Sequence, residues 1–268
     1  MDLLNIVALA LIQGITEFLP VSSSGHLVLW PLLTGRPDQG VTMDVAVHLG
    51  TLVAVVLFFR SDVAKLFRGS ADLMTGRPRT SDARLTLLII IATIPVLIVG
   101  FAAKKAGVME GLRSVEVIAW STLIGGGLLY LADRYCPCTL SGEAWTIRGA
   151  VLMGLAQACA IVPGTSRSGA CMTMARALGF SREEGARLAL LMAVPTILAA
   201  GTVETAGVVA AGDLRLGTEL LLGAFLSCLA ALAALHVMMR MFAGSWTMTP
   251  FVIYRLILGV LLLVIAYS

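Results

Sequence analysis

Divided at its charged residues, the chain falls into uncharged runs at 3–16, 18–35, 45–59, 85–103, 117–132, 149–166, 188–203, 220–239, 241–254 and 256–268. A helix needs about 20 apolar residues to cross a bilayer, so several of these runs are too short to span alone. Some must join across an internal charge, and others must enter the bilayer without crossing it. Six long segments result, at about 42–60, 84–104 and 115–133 in one half and 183–204, 216–241 and 248–267 in the other. Each trio follows an apolar stretch, 1–34 or 145–179, that a cluster of Pro, Ser and Gly interrupts. Proline breaks a helix, while Ser and Gly favour turns, so these two stretches predict re-entrant helix-turn-helix hairpins. Non-helical backbone is tolerated at membrane depth only inside protein or against a polar cavity, and the two turns are therefore expected to meet inside the molecule. The polar stretch 60–84 reads as a loop, too short for a core of its own.

The two interrupted stretches resemble each other. Aligned without gaps at an offset of 144 residues, Gln13, Ser22, Ser24 and Gly25 coincide with Gln157, Ser166, Ser168 and Gly169. An offset near half the chain is what a duplication predicts, which divides the single membrane domain into repeats 1–143 and 144–268. The fold class expected is an all-α polytopic membrane protein, each repeat a re-entrant hairpin plus three transmembrane helices. Three spans per repeat is an odd number, so the repeats have inverted topology. In that arrangement one face collects Arg60, Lys65, Arg68, Arg77, Arg79, Arg84, Arg134, Arg148, Arg176, Arg182, Arg187 and Arg240, and the other Arg36, Lys104, Lys105, Arg113 and Arg215. Twelve against five makes the first face cytoplasmic by the positive-inside rule and puts both termini outside, periplasmic if the membrane is a bacterial inner membrane. Ser181 followed by Glu184 is a capping box and predicts a helix start on the cytoplasmic side.

Composition supports a membrane: 58% of the residues are hydrophobic and 13% charged, with a mean hydropathy of +0.94, against about 25% charged in soluble domains. Nothing in the charge pattern suggests a nucleic-acid partner. The N-terminus carries Asp2 in place of a basic region, so insertion is expected to use the helices themselves. Cys136 and Cys138 match neither a CxxC pair nor a zinc set and are read as structural.

The charges that remain inside the apolar stretches carry the chemistry. Glu17 and Arg167 fall at the inner ends of the two hairpins, where a charge costs roughly 2.5 to 3.5 kcal/mol. They can bridge as an ion pair that holds the hairpins together, or they can serve a site. Ser166-Arg167-Ser168-Gly169 combines small residues, a planar multidentate donor and a helix start, the chemistry of phosphate or carboxylate binding. Ser22-Ser23-Ser24-Gly25 offers the same geometry from the opposite hairpin. His26 stands beside these hydroxyls and nine residues from Glu17, so a serine activated by His26 and oriented by Glu17 could attack phosphorus; His26 as nucleophile or leaving-group acid is the alternative. Gln13 and Glu17 share a helix face and could hold a divalent cation if substrate oxygens complete its shell. His48 and His236 read as structural. Arg255, inside the last span, could bind a diphosphate or pair with an acid.

These residues resemble the undecaprenyl-diphosphate phosphatase family, also called the bacitracin-resistance protein family. Its motifs, (Glu/Gln)-x-x-x-Glu with Phe-Leu-Pro-Val-Ser-Ser-x-Gly-His and Pro-Gly-x-Ser-Arg-Ser-Gly-Ala-Thr, appear at Gln13 to His26 and Pro163 to Cys171, where Cys171 replaces the usual Thr. Asp44 to Gly50, Ala193 to Thr196 and Phe251 to Gly259 extend the likeness over nearly the whole chain. The resemblance implies two interlocking inverted repeats and hydrolysis of undecaprenyl diphosphate to undecaprenyl phosphate, which recycles the carrier lipid for peptidoglycan and underlies bacitracin resistance. It implies Ser23 as nucleophile, His26 as its acid or base, Glu17 as orienter or metal ligand, and Arg167 as phosphate clamp. Ser22, Ser24, Ser166, Ser168 and Gly169 would line the phosphate, and Gln13 with Glu17 would hold Mg2+ or Ca2+. The expected partners are the polyprenyl diphosphate and membrane lipids, with a homodimer left open. A lipid-phosphate flippase or other secondary transporter is the rival reading, since inverted repeats of broken helices also build transporters.

Overall fold

The computed structural model describes residues 2–36, 39–109, 111–210 and 217–268, the side chains of 207–210 excepted. Arg215, counted above on the less basic face, lies outside them. The described chain is built from helices and carries no strand. Six helices are long and apolar enough to cross a membrane: α3 Gly40–Phe58, α5 Ser81–Lys105, α6 Val115–Tyr135, α9 Arg182–Ala210, α10 Thr218–Ala243 and α11 Thr249–Tyr267. They match the six segments read from hydropathy, with ends shifted by up to a few residues. Their outward faces are apolar, as Ile98, Phe101, Leu229 and Leu261 illustrate, the inverse of a soluble bundle. The protein is a multi-pass membrane protein.

The interrupted stretches form pairs of short helices, α1 Leu3–Thr16 with α2 Ser23–Thr34, and α7 Ile147–Cys159 with α8 Arg167–Ala177. The longest has 14 residues, about 21 Å at 1.5 Å per residue, short of a hydrocarbon core of about 30 Å. Helix α1 packs on α10, and α7 packs on α5, so each short pair leans on a span from the other half of the chain. Gly14 permits the first contact, because a Cβ there would sit 2.5 Å from the Ser227 carbonyl oxygen of α10. The main core runs from Phe18 in the first turn through Leu52, Leu88, Met153, Met172, Leu191 and Leu235, so the turn between α1 and α2 is packed into the centre of the molecule.

The stretch 60–84, expected as a loop, contains a further helix, α4 Arg60–Met74, packed on α5. Its charges hid it from a hydropathy reading, and one of its ties comes from far along the chain. Asp62 accepts from Arg187 of α9 at 2.8 and 2.9 Å and from Lys65 at 2.8 Å, while Arg68 donates to Asp82. The Arg187 guanidinium, with Lys65, holds the Asp62 carboxyl down to about 2. At the start of α9 the Glu184 N–H donates to Ser181 Oγ at 3.1 Å, the cap that the sequence predicts, although the Glu184 carboxylate turns to Arg187.

Candidate active site

Two turns meet at the centre, and they are built alike. Ser22 and Ser166, 144 residues apart, are the only described non-glycine residues with positive φ, at 76° and 70°. Each caps the helix that follows it, its Oγ accepting from Gly25 N or Gly169 N. Such a backbone costs about 1 to 3 kcal/mol and persists where its surroundings enforce it. Here the enforcement is mutual, for Gly164 N of the second turn donates to Ser22 Oγ at 3.2 Å and Ser168 Oγ donates to the Leu19 carbonyl of the first at 2.9 Å.

Glu17 follows α1 directly and is 7% exposed. Its Oε1 accepts from Arg167 Nη2 at 2.7 Å, and its Oε2 accepts from Ser23 Oγ at 2.5 Å and Gln13 Nε2 at 2.9 Å. One carboxylate thus ties together the hydroxyl of one turn and the guanidinium of the other. Arg167 is the first residue of α8, so its guanidinium joins a helix N-terminus already favourable to anions. Its second amino group, Nη1, is buried and has no protein partner. A buried unsatisfied donor on a charged group is costly, and an incoming anion would satisfy it.

A cavity of about 260 Å3 opens beside this cluster, lined by Glu17, Ser22, Ser23, Ser24, Ser166 and Arg167. Its remaining polar wall is Asp44 and His48 from α3 and Thr196 and Glu204 from α9. His48 Nδ1 is bonded to the Asp44 carbonyl at 2.7 Å, and its Nε2 stands 3.8 Å from Glu17 Oε2. His48 therefore belongs to the cavity and not to the packing role assigned to it from sequence. Asp44 and Glu204 are not among the site residues expected from sequence, although a carboxylate inside an apolar span is itself a functional signal.

Several residues sit differently from expectation. His26 is not in the cavity wall: its Nδ1 is bonded to the Ser22 carbonyl at 2.6 Å and its Nε2 to Tyr254 Oη at 2.5 Å, with the two rings stacked. A carbonyl only accepts, so Nδ1 carries a proton and donates to it, which leaves Nε2 to pair with the tyrosine hydroxyl. The expected order of serine, His26 and Glu17 is thereby replaced by a direct bond from Ser23 to Glu17. Ser168 and the Gly169 N–H, expected to face a phosphate, are engaged between and within the turns. Arg255 neither reaches the cavity nor pairs with an acid; it is fully buried and bonded to backbone carbonyls.

Gln13 Oε1 is a second buried atom without a partner, an acceptor held beside Glu17. Gln13 is fully buried and does not line the cavity, so of the two expected cation ligands Glu17 alone faces it. Among the described residues no group of three or more His, Cys, Asp or Glu is arranged to hold a metal. The donor set fits only an ion whose shell is completed by the oxygens of a bound phosphate and water.

Residues 6–261 match the family model described as Bacitracin resistance protein BacA. Proteins named Undecaprenyl-diphosphatase from Dinoroseobacter shibae and Roseobacter denitrificans are 51% and 52% identical to the chain over 268 residues, covering 100% of both partners in each case. That from Campylobacter curvus is 45% identical over 265 residues, 99% of each chain. With a match across nearly its whole length, the chain belongs to the bacitracin-resistance protein family, BacA.

Proposed function

We propose that this protein removes the terminal phosphate from undecaprenyl diphosphate, leaving undecaprenyl phosphate for another round of cell-wall carrier use and conferring bacitracin resistance, in line with the name its full-length relatives carry. The observation that supports it most is the unpartnered Nη1 of Arg167, a buried cationic donor in the wall of the cavity that also holds Ser23 bonded to a carboxylate. A transporter would need the anion-binding half of this arrangement and has no use for the other half.

The terminal phosphate lies against Arg167 and the N-terminus of α8, and Ser23 Oγ attacks phosphorus. The hydroxyl proton passes to Glu17, the bond from phosphorus to the bridging oxygen breaks, and the lipid phosphate departs carrying that proton away, so that Glu17 is again a carboxylate. Water then attacks the phosphoserine, its proton going to Glu17 and a proton returning from there to Ser23 Oγ as inorganic phosphate leaves. Arg167 carries the charge that builds on the transferring group, the role that preorganised donors fill in a water-poor site. Mg2+ or Ca2+ bound with the diphosphate would be held by Glu17, with Gln13 as the expected second ligand, and would supply neutralising charge.

The membrane arrangement proposed is two inverted repeats, 1–143 and 144–268, whose re-entrant hairpins α1–α2 and α7–α8 enter from opposite faces of a bacterial inner membrane, with both termini outside. The matched positive φ of Ser22 and Ser166 supports it, as does the exchange of packing in which α1 leans on α10 and α7 on α5. Purified protein in detergent, given undecaprenyl or farnesyl diphosphate and Mg2+, should release inorganic phosphate. Absence of release by the intact protein would overturn the enzymatic reading.

A further inference from the structure

Arg255 is the least explained charge in the molecule. It lies in the middle of α11 and is 0% exposed. All five of its hydrogen bonds go to backbone carbonyl oxygens. Nε donates to Thr122 at 3.1 Å; Nη1 to Pro20 at 3.2 Å; Nη2 to Ser121 at 3.4 Å, Gly164 at 3.1 Å and Thr165 at 3.0 Å. Pro20 belongs to the turn that carries Ser23, Gly164 and Thr165 to the turn that carries Arg167. One guanidinium therefore grips both halves of the site from behind, and α6 as well.

The surroundings are shaped for it. A Cβ on Gly126 would meet Arg255 Cβ at 3.2 Å, and one on Gly169 would meet Arg255 Nη1 at 2.8 Å. A charge at membrane depth is costly and is kept where it has work, and five carbonyls give this one the planar, multi-point grip that a lysine cannot reproduce. The grip also has a direction. The peptide between Thr165 and Ser166 is trans, so drawing the Thr165 carbonyl toward Arg255 turns the Ser166 N–H to the opposite edge of the same plane. Ser166 lines the cavity and precedes Arg167.

We infer that Arg255 is a positioning residue for phosphoryl transfer. It fixes the two turns relative to each other, so that Ser23 and Arg167 stand at opposite sides of the same phosphate, and it orients the Ser166 amide at the anion site. The inference rests on the phosphatase reading above, and it assigns no contact between Arg255 and the substrate. Misplacing reacting groups by a fraction of an ångström lowers turnover more than it lowers binding.

The test compares wild type, Arg255→Lys, Ser22→Ala, their double variant and Gly126→Ala, all full-length in detergent, with thermal unfolding recorded beside steady-state kinetics. Arg255→Lys should keep the fold and lose about 100-fold in kcat, the scale of one lost preorganised donor, with KM within about threefold. Its loss should combine with that of Ser22→Ala less than additively, because Ser22 Oγ, accepting from Gly164 N, is a tie between the same two turns. Full kcat in a folded Arg255→Lys, or strictly additive losses, would overturn the inference. If that variant does not fold, Gly126→Ala decides: its methyl presses on the arginine stem first, and an unchanged kcat there would be equally fatal. A wild type that releases no phosphate would instead remove the phosphatase reading itself.

Discussion

At the scale of single residues the site depends on Glu17, because that carboxylate is bonded to both the Ser23 hydroxyl and the Arg167 guanidinium. A glutamine there keeps the size and can still accept a bond from the serine, but it cannot take up a proton. Glu17→Gln should therefore fold normally and lose about 10^3-fold in kcat, within the range of general-base contributions. Single-turnover phosphate release measures it, and a loss below tenfold would remove Glu17 from the proton path. The bond from Ser23 to Glu17 spans six residues, yet the sequence reading puts His26 between them, because spacing alone does not show that His26 turns away to Tyr254. The His26 bond to Tyr254 spans 228 residues, and nothing near His26 in the sequence indicates it. Arg255 escaped a correct reading for the same reason, since its carbonyl partners Pro20 and Gly164 lie 235 and 91 residues away.

At the scale of elements, the six spans were legible because apolar runs, some joined across an internal charge, reach the length of a membrane helix, and the two turns because Pro, Ser and Gly interrupt apolar runs. Helix α4 was not legible. Its charges break the hydropathy signal, and what holds it is the Asp62 link to Arg187, 125 residues on. That link makes a pH prediction. A carboxylate whose folded value is depressed to about 2 from an ordinary 3.8 contributes stability that is fully present above about 4 and is lost as pH falls through about 2. The unfolding temperature of wild type should therefore exceed that of Asp62→Asn at pH 7, and the gap should narrow between about pH 4 and pH 2. A gap that stays constant to pH 2 would show that the pair does not support the docking of α4 on α9.

Across the whole molecule the turns capped by Ser22 and Ser166 meet, and the short helices pack on spans far along the chain, α1 on α10 and α7 on α5. The offset of 144 that aligns four identical residues also separates Ser22 and Ser166, which share a positive φ and a helix cap. The orientation proposed above rests on the charge count and would put the segment between α6 and α7 in the cytoplasm. Cys138 in that segment is exposed. In a variant that keeps Cys138 as its sole cysteine, a membrane-impermeant maleimide should label it only after the membrane is opened. Labelling in intact cells would invert the topology. The central claim, that the terminal phosphate is held by Arg167 across from Ser23, is tested most directly by the kcat/KM for phosphate release from undecaprenyl diphosphate in Arg167→Ala against wild type. The account predicts a fall of about 10^3-fold in a protein that still folds; a value within threefold of wild type would contradict it.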